Sequence, residues 1–155
     1  MSQADTYLVD SIRLAMENVR ARKTWPFGAV LVRDGKVLAR SVNEVEATCD
    51  PSAHAEMQAV RAASKALGST DLSGSVMYAS GYPCSMCLSV MYLAGVSEVY
   101  YAYSNEDGEP YDLSAARGYV EIARPLEERE MKLVHHRARD EGQDLYEAWQ
   151  AVHGS

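Results

Sequence analysis

The order of elements predicted between residues 75 and 103 constrains the fold of this 155-residue chain more than any other sequence feature. A short apolar strand over Ser75 to Ser80 precedes a helix over Cys84 to Ala94 and a second strand over Val96 to Tyr103. Strands joined through a helix usually lie parallel, because the connection crosses one face of the sheet. The pattern therefore predicts an α/β fold.

The first half of the chain predicts further helices and an antiparallel strand pair. Apolar residues recur every three or four positions from Asp5 to Arg22, as on one face of a helix. A strand over Phe27 to Val32 leads through the hairpin signal Asp34-Gly35 into a strand over Lys36 to Ser41. A second helix is predicted over His54 to Leu67. We therefore expect one mixed sheet covered by helices, in a single domain over residues 1–155.

The remainder of the chain is less regular. Ser104 to Gly118 is polar, lacks periodicity and is predicted to form a long loop that could cover a site. Met131 to His136 alternates enough to predict a last strand, and Gln143 to Val152 predicts a terminal amphipathic helix.

Composition excludes several classes of function. The chain has 15 Lys and Arg against 22 Asp and Glu, a formal charge of -7 that disfavours a broad grip on phosphate backbones, so nucleic acid is not expected as a partner. No apolar run approaches the roughly 18 residues that a membrane span needs, so no membrane partner is expected. Three cysteines in a chain that opens without an apolar signal segment predict a reducing, cytoplasmic location.

Two short motifs carry the chemistry. In Pro83-Cys84-Ser85-Met86-Cys87 two thiols of one helical turn could reach a single ion, although a redox pair or two packed thiols would use the same spacing. His54 supplies a third ligand type at the start of the preceding helix, with Glu56 two positions further on. A Cys2His zinc site would leave its fourth position open for catalysis, whereas a structural zinc in a binding module would want four protein ligands.

His-x-Glu followed by Pro-Cys-x-x-Cys is a signature of zinc deaminases. Together with Phe27-Gly28-Ala29-Val30, Asn43 and the stretch from Asp50 to Cys87, it makes the chain resemble the cytidine deaminase superfamily, specifically its small guanine deaminase branch. The resemblance continues more thinly through Tyr111-Asp112 to Ala148-Trp149. It implies a three-layer α/β/α cytidine deaminase-like fold around a central mixed sheet.

The resemblance implies one zinc ion per chain, held by His54, Cys84 and Cys87. Two thiolates and one imidazole would let the ion lower the pKa of a bound water from about 15.7 toward roughly 7. Glu56 would take the proton of that water, protonate the ring nitrogen of the substrate and deliver a proton to the departing ammonia.

Five residues are predicted to contact the substrate by the same resemblance. Asn43 would hydrogen-bond a ring edge, Phe27 would stack on the base and the backbone amide of Ala55 would donate to a carbonyl. Asp112 would hold ring nitrogens, and Tyr92 stands where the branch tends to carry a Trp near its pocket. The alternatives are a turn residue for Asn43, a solvated turn for Asp112 and core positions for both aromatic side chains.

The implied reaction is the hydrolytic deamination of guanine to xanthine. Other substrates remain open: another aminopurine, a pterin, a triazine, cytosine or isocytosine, and the adenosine of a tRNA. The chain has Tyr82 and Ser85 where the branch commonly has Glu and Pro, and it ends His153-Gly154-Ser155 rather than in an aromatic residue. The resemblance further implies a homodimer in which the segment from Gln143 onward crosses to the site of the partner.

Overall fold

The computed structural model describes residues 2–22, 24–136 and 145–153. Residues 1–123 form one compact unit and residues 124–155 form another. A single catalytic domain over the whole chain therefore stays a prediction. Among the described helices, none has the length and apolar character needed to cross a bilayer.

The first unit contains four strands and six α-helices among its described residues. In chain order these are α1 (Gln3–Arg22), β1 (Gly28–Arg33), β2 (Lys36–Val42), α2 (Val45–Thr48), α3 (Ala55–Leu67), β3 (Ser75–Gly81), α4 (Ser85–Leu93), β4 (Glu98–Tyr103), α5 (Asn105–Gly108) and α6 (Ala116–Ala123). A short 3-10 helix, Glu109–Tyr111, lies between α5 and α6. The second unit has a 3-10 turn over Leu126–Glu128 and helix α7 (Leu145–His153).

The strands form one mixed sheet in the order β2-β1-β3-β4. β1 pairs antiparallel with β2 and with β3, whereas β3 and β4 are parallel and joined through α4. The hairpin between β1 and β2 turns at Asp34 and Gly35, whose φ angles are 51° and 72°. Positive φ at both central residues matches the right-handed twist of paired strands. The predicted mixed sheet and hairpin are confirmed.

Helices cover both faces of the sheet because side chains alternate along the strands. Val30, Val32 and Tyr78 face α1, while Ala29 and Leu31 belong to the cluster that includes α3 and α4. Helix α1 lies so close to β1 that a Cβ on Gly28 would be 2.3 Å from the carbonyl oxygen of Ser11. Only glycine permits that approach. The three-layer α/β/α architecture is therefore confirmed.

Two predictions outside the sheet were wrong. Ser104 to Gly118 is not one long loop, because Ser104 and Asp107 form a capping box that starts α5, and α6 begins at Ala116. Helices of four residues are too short to show periodicity. Met131 to His136 forms no strand and is exposed. The terminal helix begins at Leu145, and Gln143 lies outside the described residues.

Candidate active site

Two helix N-termini meet at the carboxyl end of β3. His54 is the N-cap of α3 and Cys84 is the N-cap of α4. Asp50 stabilises the turn that precedes α3. Its Oδ1 accepts hydrogen bonds from the backbone N–H and the hydroxyl of Ser52 at 2.8 and 2.6 Å. At the second start the backbone N–H of Cys87 donates to Sγ of Cys84 at 3.5 Å. A turn before α3 and a side-chain cap at the start of α4 thus position the three predicted ligands.

The ligating atoms of His54, Cys84 and Cys87 lie within 4.8 Å of one another. Nδ1 of His54 is 3.5 Å from Sγ of Cys84. Two sulfurs and one imidazole nitrogen are donors that Zn²⁺ prefers, and three protein ligands are typical of catalytic zinc sites. The residues therefore fit the ion that the sequence predicts.

Glu56 is the second residue of α3 and its side chain is buried, with 6% of the residue exposed. Its Oε2 accepts a hydrogen bond from Sγ of Cys87 at 3.6 Å. Burial raises the pKa of Glu56 to about 7, because a charged carboxylate loses its hydration there. A carboxyl group with this pKa can both take up and release a proton near neutral pH.

The two thiols differ in acidity. The hydrogen bond from Cys87 lowers the pKa of Cys84, and the hydrogen bond with His54 adds to this effect. The interaction with Cys84 raises the pKa of the Cys87 thiol, and burial raises it further. The interaction with Cys84 also raises the pKa of His54. The three side chains thus form one interacting group, in which Cys84 is the more acidic thiol.

A cavity of about 290 Å³ opens onto this cluster. Its lining includes the predicted residues His54, Glu56, Cys84, Asn43, Phe27 and Asp112. Sequence reasoning did not identify the other lining residues, which are Trp25, Val45, Tyr82, Leu113, Ser114, Ala115 and Gly118. Ala55 is the first residue of α3 and is buried, so its N–H is one of the helix-start donors without an intrahelical acceptor. The structure thus brings most of the predicted site together.

Tyr92, a predicted substrate contact, lies away from the cavity. The residue is 83% exposed on α4, and it lines a separate cleft with Leu88 and Leu93. Within this chain it does not line the cavity that contains Glu56.

Phe27 and Asn43 form one wall of the cavity and are linked through their backbones. The N–H of Asn43 donates to the carbonyl of Phe27 at 3.0 Å. A Cβ on Gly81 would lie 2.9 Å from Cε1 of Phe27, so the ring occupies space that only glycine leaves open. The aromatic side chain is therefore half-buried, packing against the core cluster while it lines the site.

Asp112 lies at the rim of the cavity. It caps the 3-10 helix Glu109–Tyr111 with a φ of 59° and is exposed. Asp tolerates this left-handed conformation better than most residues. Asp112 lines the cavity together with Leu113, Ser114, Ala115 and Gly118.

An aromatic cluster connects α6 to the metal-binding turn. The hydroxyl of Tyr119 donates to the carbonyl of Pro83 at 2.7 Å. Its ring contacts Tyr82 edge to face at 5.8 Å between centroids, and Tyr82 contacts Tyr101 in the same way at 4.9 Å. Burial raises the pKa of Tyr119 to about 12, so its hydroxyl stays protonated and able to donate. No local sequence pattern indicated these contacts.

Comparison with known proteins identifies the family. Residues 1–103 match the model of the cytidine and deoxycytidylate deaminase zinc-binding region. The chain belongs to this family. Zinc binding and deaminase chemistry, which the sequence predicted, are thereby confirmed for this protein.

Several relatives refine the comparison. Guanine deaminase of Bacillus subtilis is 41% identical over 125 residues, which are 81% of this chain and 80% of that protein. A crystal structure of B. subtilis guanine deaminase covers 97% of this chain and 94% of its own, with a TM-score of 0.86 and 35% identity. A tRNA-specific adenosine deaminase of Agrobacterium fabrum is 35% identical over 103 residues, 66% of this chain and 68% of that protein. The similarity to guanine deaminase thus extends over more of the chain.

Proposed function

We propose that this protein hydrolyses guanine to xanthine and ammonia. The observation that carries the proposal is the buried Glu56, which lies beside the His54, Cys84 and Cys87 cluster in a cavity with Asn43 and Phe27 on its wall. The similarity to guanine deaminase over about four fifths of both chains supports guanine as the substrate.

His54, Cys84 and Cys87 would hold one zinc ion. When bound, zinc supplies a Lewis acid that makes a water molecule acidic near neutral pH. The side chains around it then have to move protons and orient the ring.

Glu56 would move both protons that the reaction requires. It takes one proton from the attacking water and passes it to ring nitrogen N3, as the water oxygen bonds to C2. It then carries the remaining proton of that oxygen to the amino group, the C2–N bond breaks and ammonia leaves. One guanine and one water give one xanthine and one ammonia. The pKa of about 7 suits Glu56 to both transfers.

The cavity wall would orient the base. Asp112 accepts hydrogen bonds from ring N–H groups, Asn43 donates to the ring carbonyl and Phe27 contacts the ring face. The amide of Ala55 is a further donor at the start of α3. Tyr92 has no part in this assignment because it faces a different cleft of the same chain.

An ammonia-release assay tests the substrate. Zinc-loaded protein should release ammonia from guanine faster than from adenine, cytosine, isocytosine, a triazine or a pterin, and should leave tRNA without inosine. The acidic chain lacks the basic track that a polynucleotide needs. Inosine formation in tRNA at a higher rate than any ammonia release from a free base would contradict the proposal.

Chelation separates a catalytic zinc from a structural one. Removing the metal should abolish guanine turnover while the circular dichroism spectrum stays native, and adding zinc should restore activity. Unfolding on chelation would instead indicate that the ion is needed for the fold.

We also propose a homodimer in which the segment from Gln143 onward reaches the site of the partner. The described part of this segment is α7, whose apolar residues are exposed, with Trp149 at 62% and Leu145 at 76%. An amphipathic helix with an uncovered apolar face requires a surface to pack against.

The cytoplasmic location stays a prediction, supported by three free thiols at Cys49, Cys84 and Cys87.

A further inference from the structure

A buried side chain of α1 reaches across the fold to the cavity wall. Nδ2 of Asn18 donates to the backbone carbonyl of Asn43 at 2.9 Å. Asn18 is 5% exposed and Asn43 is 2% exposed, so water does not compete for this bond. We infer that Asn18 is a positioning residue that fixes Asn43 and thereby sets the affinity of the site for the ring carbonyl of the substrate.

Three hydrogen bonds fix the position of Asn43. Besides the bond from Asn18, its backbone N–H donates to the carbonyl of Phe27 at 3.0 Å, and its side-chain Oδ1 accepts from the N–H of Val45 at 3.2 Å. A buried carbonyl that loses its donor pays a desolvation penalty or shifts to find another partner. Removing Asn18 would therefore release a bond that ties the backbone of Asn43 to α1.

The side-chain bond also determines which end of the Asn43 amide is available. The N–H of Val45 can only donate, so the atom that it meets must be the oxygen of the carboxamide. The remaining group, Nδ2, carries two N–H donors. Because Asn43 lines the cavity, it offers this group as a donor, which matches a ring carbonyl and not a ring N–H. The inference rests on the proposed function and refines how the base is recognised.

Comparing two ligands distinguishes a positioning role of Asn18 from a general loss of structure in the variant. Guanine has a ring carbonyl, and 2-aminopurine keeps the same amino group without it. Asn18→Ala should raise the KM for guanine about fivefold, the effect of one neutral hydrogen bond, with kcat close to the wild-type value. The inhibition constant of 2-aminopurine should not change. The ratio of the affinity for guanine to the affinity for 2-aminopurine would then fall by the same factor.

Ser11→Ala is the matched control. Ser11 is also buried on α1, but its hydroxyl bonds to the carbonyl of Leu8 in its own helix at 2.7 Å. This variant should retain the wild-type KM and the wild-type preference. If Asn18→Ala fails to fold, the same measurements are made on Asn18→Ser, whose side chain is polar but too short to reach Asn43.

A double-mutant cycle tests whether Asn18 acts through Asn43. Asn18→Ala should have no further effect on KM when introduced into Asn43→Ala, because the group that it positions is already absent. The side-chain amide signal of Asn43 in ¹H–¹⁵N spectra should shift in Asn18→Ala and not in Ser11→Ala.

Three results would overturn the inference: an equal loss of affinity for both ligands, additive effects in the cycle, or an unmoved Asn43 amide signal. A wild-type protein that leaves guanine intact would contradict the proposed function instead. The spectra of the ligand-free protein would still test the link between Asn18 and Asn43 in that case.

Discussion

Glu56 shows how one residue acquires its chemistry from its position. It lies in the first turn of α3, where the helix start favours a negative charge, yet its burial opposes ionisation more strongly. The pKa near 7 is the result of this competition. An exposed glutamate at the same place in a helix would be fully ionised at neutral pH and a poorer proton donor.

Glu56→Gln should retain zinc and the fold but lose the chemical step. The amide keeps the size and the hydrogen bonding of the side chain but cannot shuttle a proton, so kcat should fall by roughly 10² to 10⁴. Metal analysis and steady-state kinetics measure the two properties. Glu46→Gln, at an exposed position of α2, is the control and should match the wild type. Near-normal turnover of Glu56→Gln would remove this residue from the mechanism.

At the scale of elements, the starts of α3 and α4 form the metal cluster, and α6 closes the site. Helix α6 contacts the turn before α4 through the bond between Tyr119 and Pro83 and brings Gly118 to the cavity wall. Gly118 lies against α4, since a Cβ there would be 3.4 Å from Oγ of Ser85. The packing of one short helix therefore supports both the metal-binding turn and the substrate cavity.

Tyr119→Phe should lower the free energy of unfolding by about 1 kcal/mol and make zinc easier to remove. The change deletes the hydroxyl that bonds to the buried Pro83 and leaves its carbonyl without that donor. Urea unfolding and competition with a chelator measure these effects. Tyr101→Phe deletes a hydroxyl from the same aromatic cluster and should retain zinc like the wild type. Equal zinc retention in both variants would contradict the role assigned to α6.

A charge cluster ties α1 to β2 and makes stability depend on pH. Asp10 accepts hydrogen bonds from Arg40 at 2.6 Å and from Arg13 at 2.5 Å. Burial raises the pKa of Asp10, but the bonds and charges of Arg40 and Arg13 together outweigh it, so the pKa is lowered from 3.8. The folded state then binds its proton less readily than the unfolded state. The stabilisation is complete above the unfolded pKa and is lost as pH falls through the folded one.

Asp10→Asn should therefore lower the free energy of unfolding by about 1 kcal/mol or less at pH 7. The difference from the wild type should shrink as the pH falls below about 4, because Asp10 is then protonated in the unfolded state first, and it should vanish once the pH has fallen through the lower pKa of the folded state. Added salt should reduce it as well, because both arginines are half exposed. Urea titrations at several pH values measure this. A difference that stays constant down to pH 2 would indicate that packing, and not charge, is responsible.

At the scale of the whole molecule, uncovered apolar surface points to assembly. Leu93 and Tyr92 on α4 are 81% and 83% exposed, and α7 exposes Tyr146 at 81%. Large apolar patches on a folded protein usually mark an interaction surface. The proposed homodimer would cover such surface and would let α7 act on the site of the partner.

Truncation before Gln143 tests this assembly. The shortened chain should lose roughly 10-fold to 10²-fold in kcat/KM for guanine, because a site that is not closed positions its substrate poorly. Light scattering should show whether the dimer persists. Trp149→Ala should reproduce part of the loss, whereas Gln150→Ala on the same exposed helix should not. Full activity of the truncated chain would exclude the exchange, and a monomeric wild type would exclude the dimer.

The sequence alone predicted the features that depend on local chemistry. The hairpin at Asp34-Gly35 and the helices that begin near His54 and Cys84 follow from turn residues and helix-start signals. Their grouping as metal ligands follows from the spacing of the two cysteines and from the deaminase signature. These signals act within a few residues, so the folded structure reproduces them. The family resemblance adds the roles of Glu56 and Asn43.

Other expectations failed because they need contacts that local patterns do not encode. Met131 to His136 alternates like a strand, but a strand forms only where another strand pairs with it. Tyr92 follows the buried Cys87 by five helical positions, which places it about 140° around α4 from the metal ligand. Its place in the sequence is near the motif, whereas its side chain is on another face.

Only the tertiary structure decided which residues line the cavity and which residues position them. Asn18 and Asn43 are 25 positions apart, and Tyr119 and Pro83 are 36 apart, so no periodicity within one element relates them. Trp25 lines the cavity because of where the chain enters β1. The sequence determined which chemistry the chain carries, since ligand and proton-transfer groups act through their own atoms. The packing of α1 and α6 against the sheet and the metal-binding turn determined the shape of the cavity, since that shape depends on residues that meet only after folding.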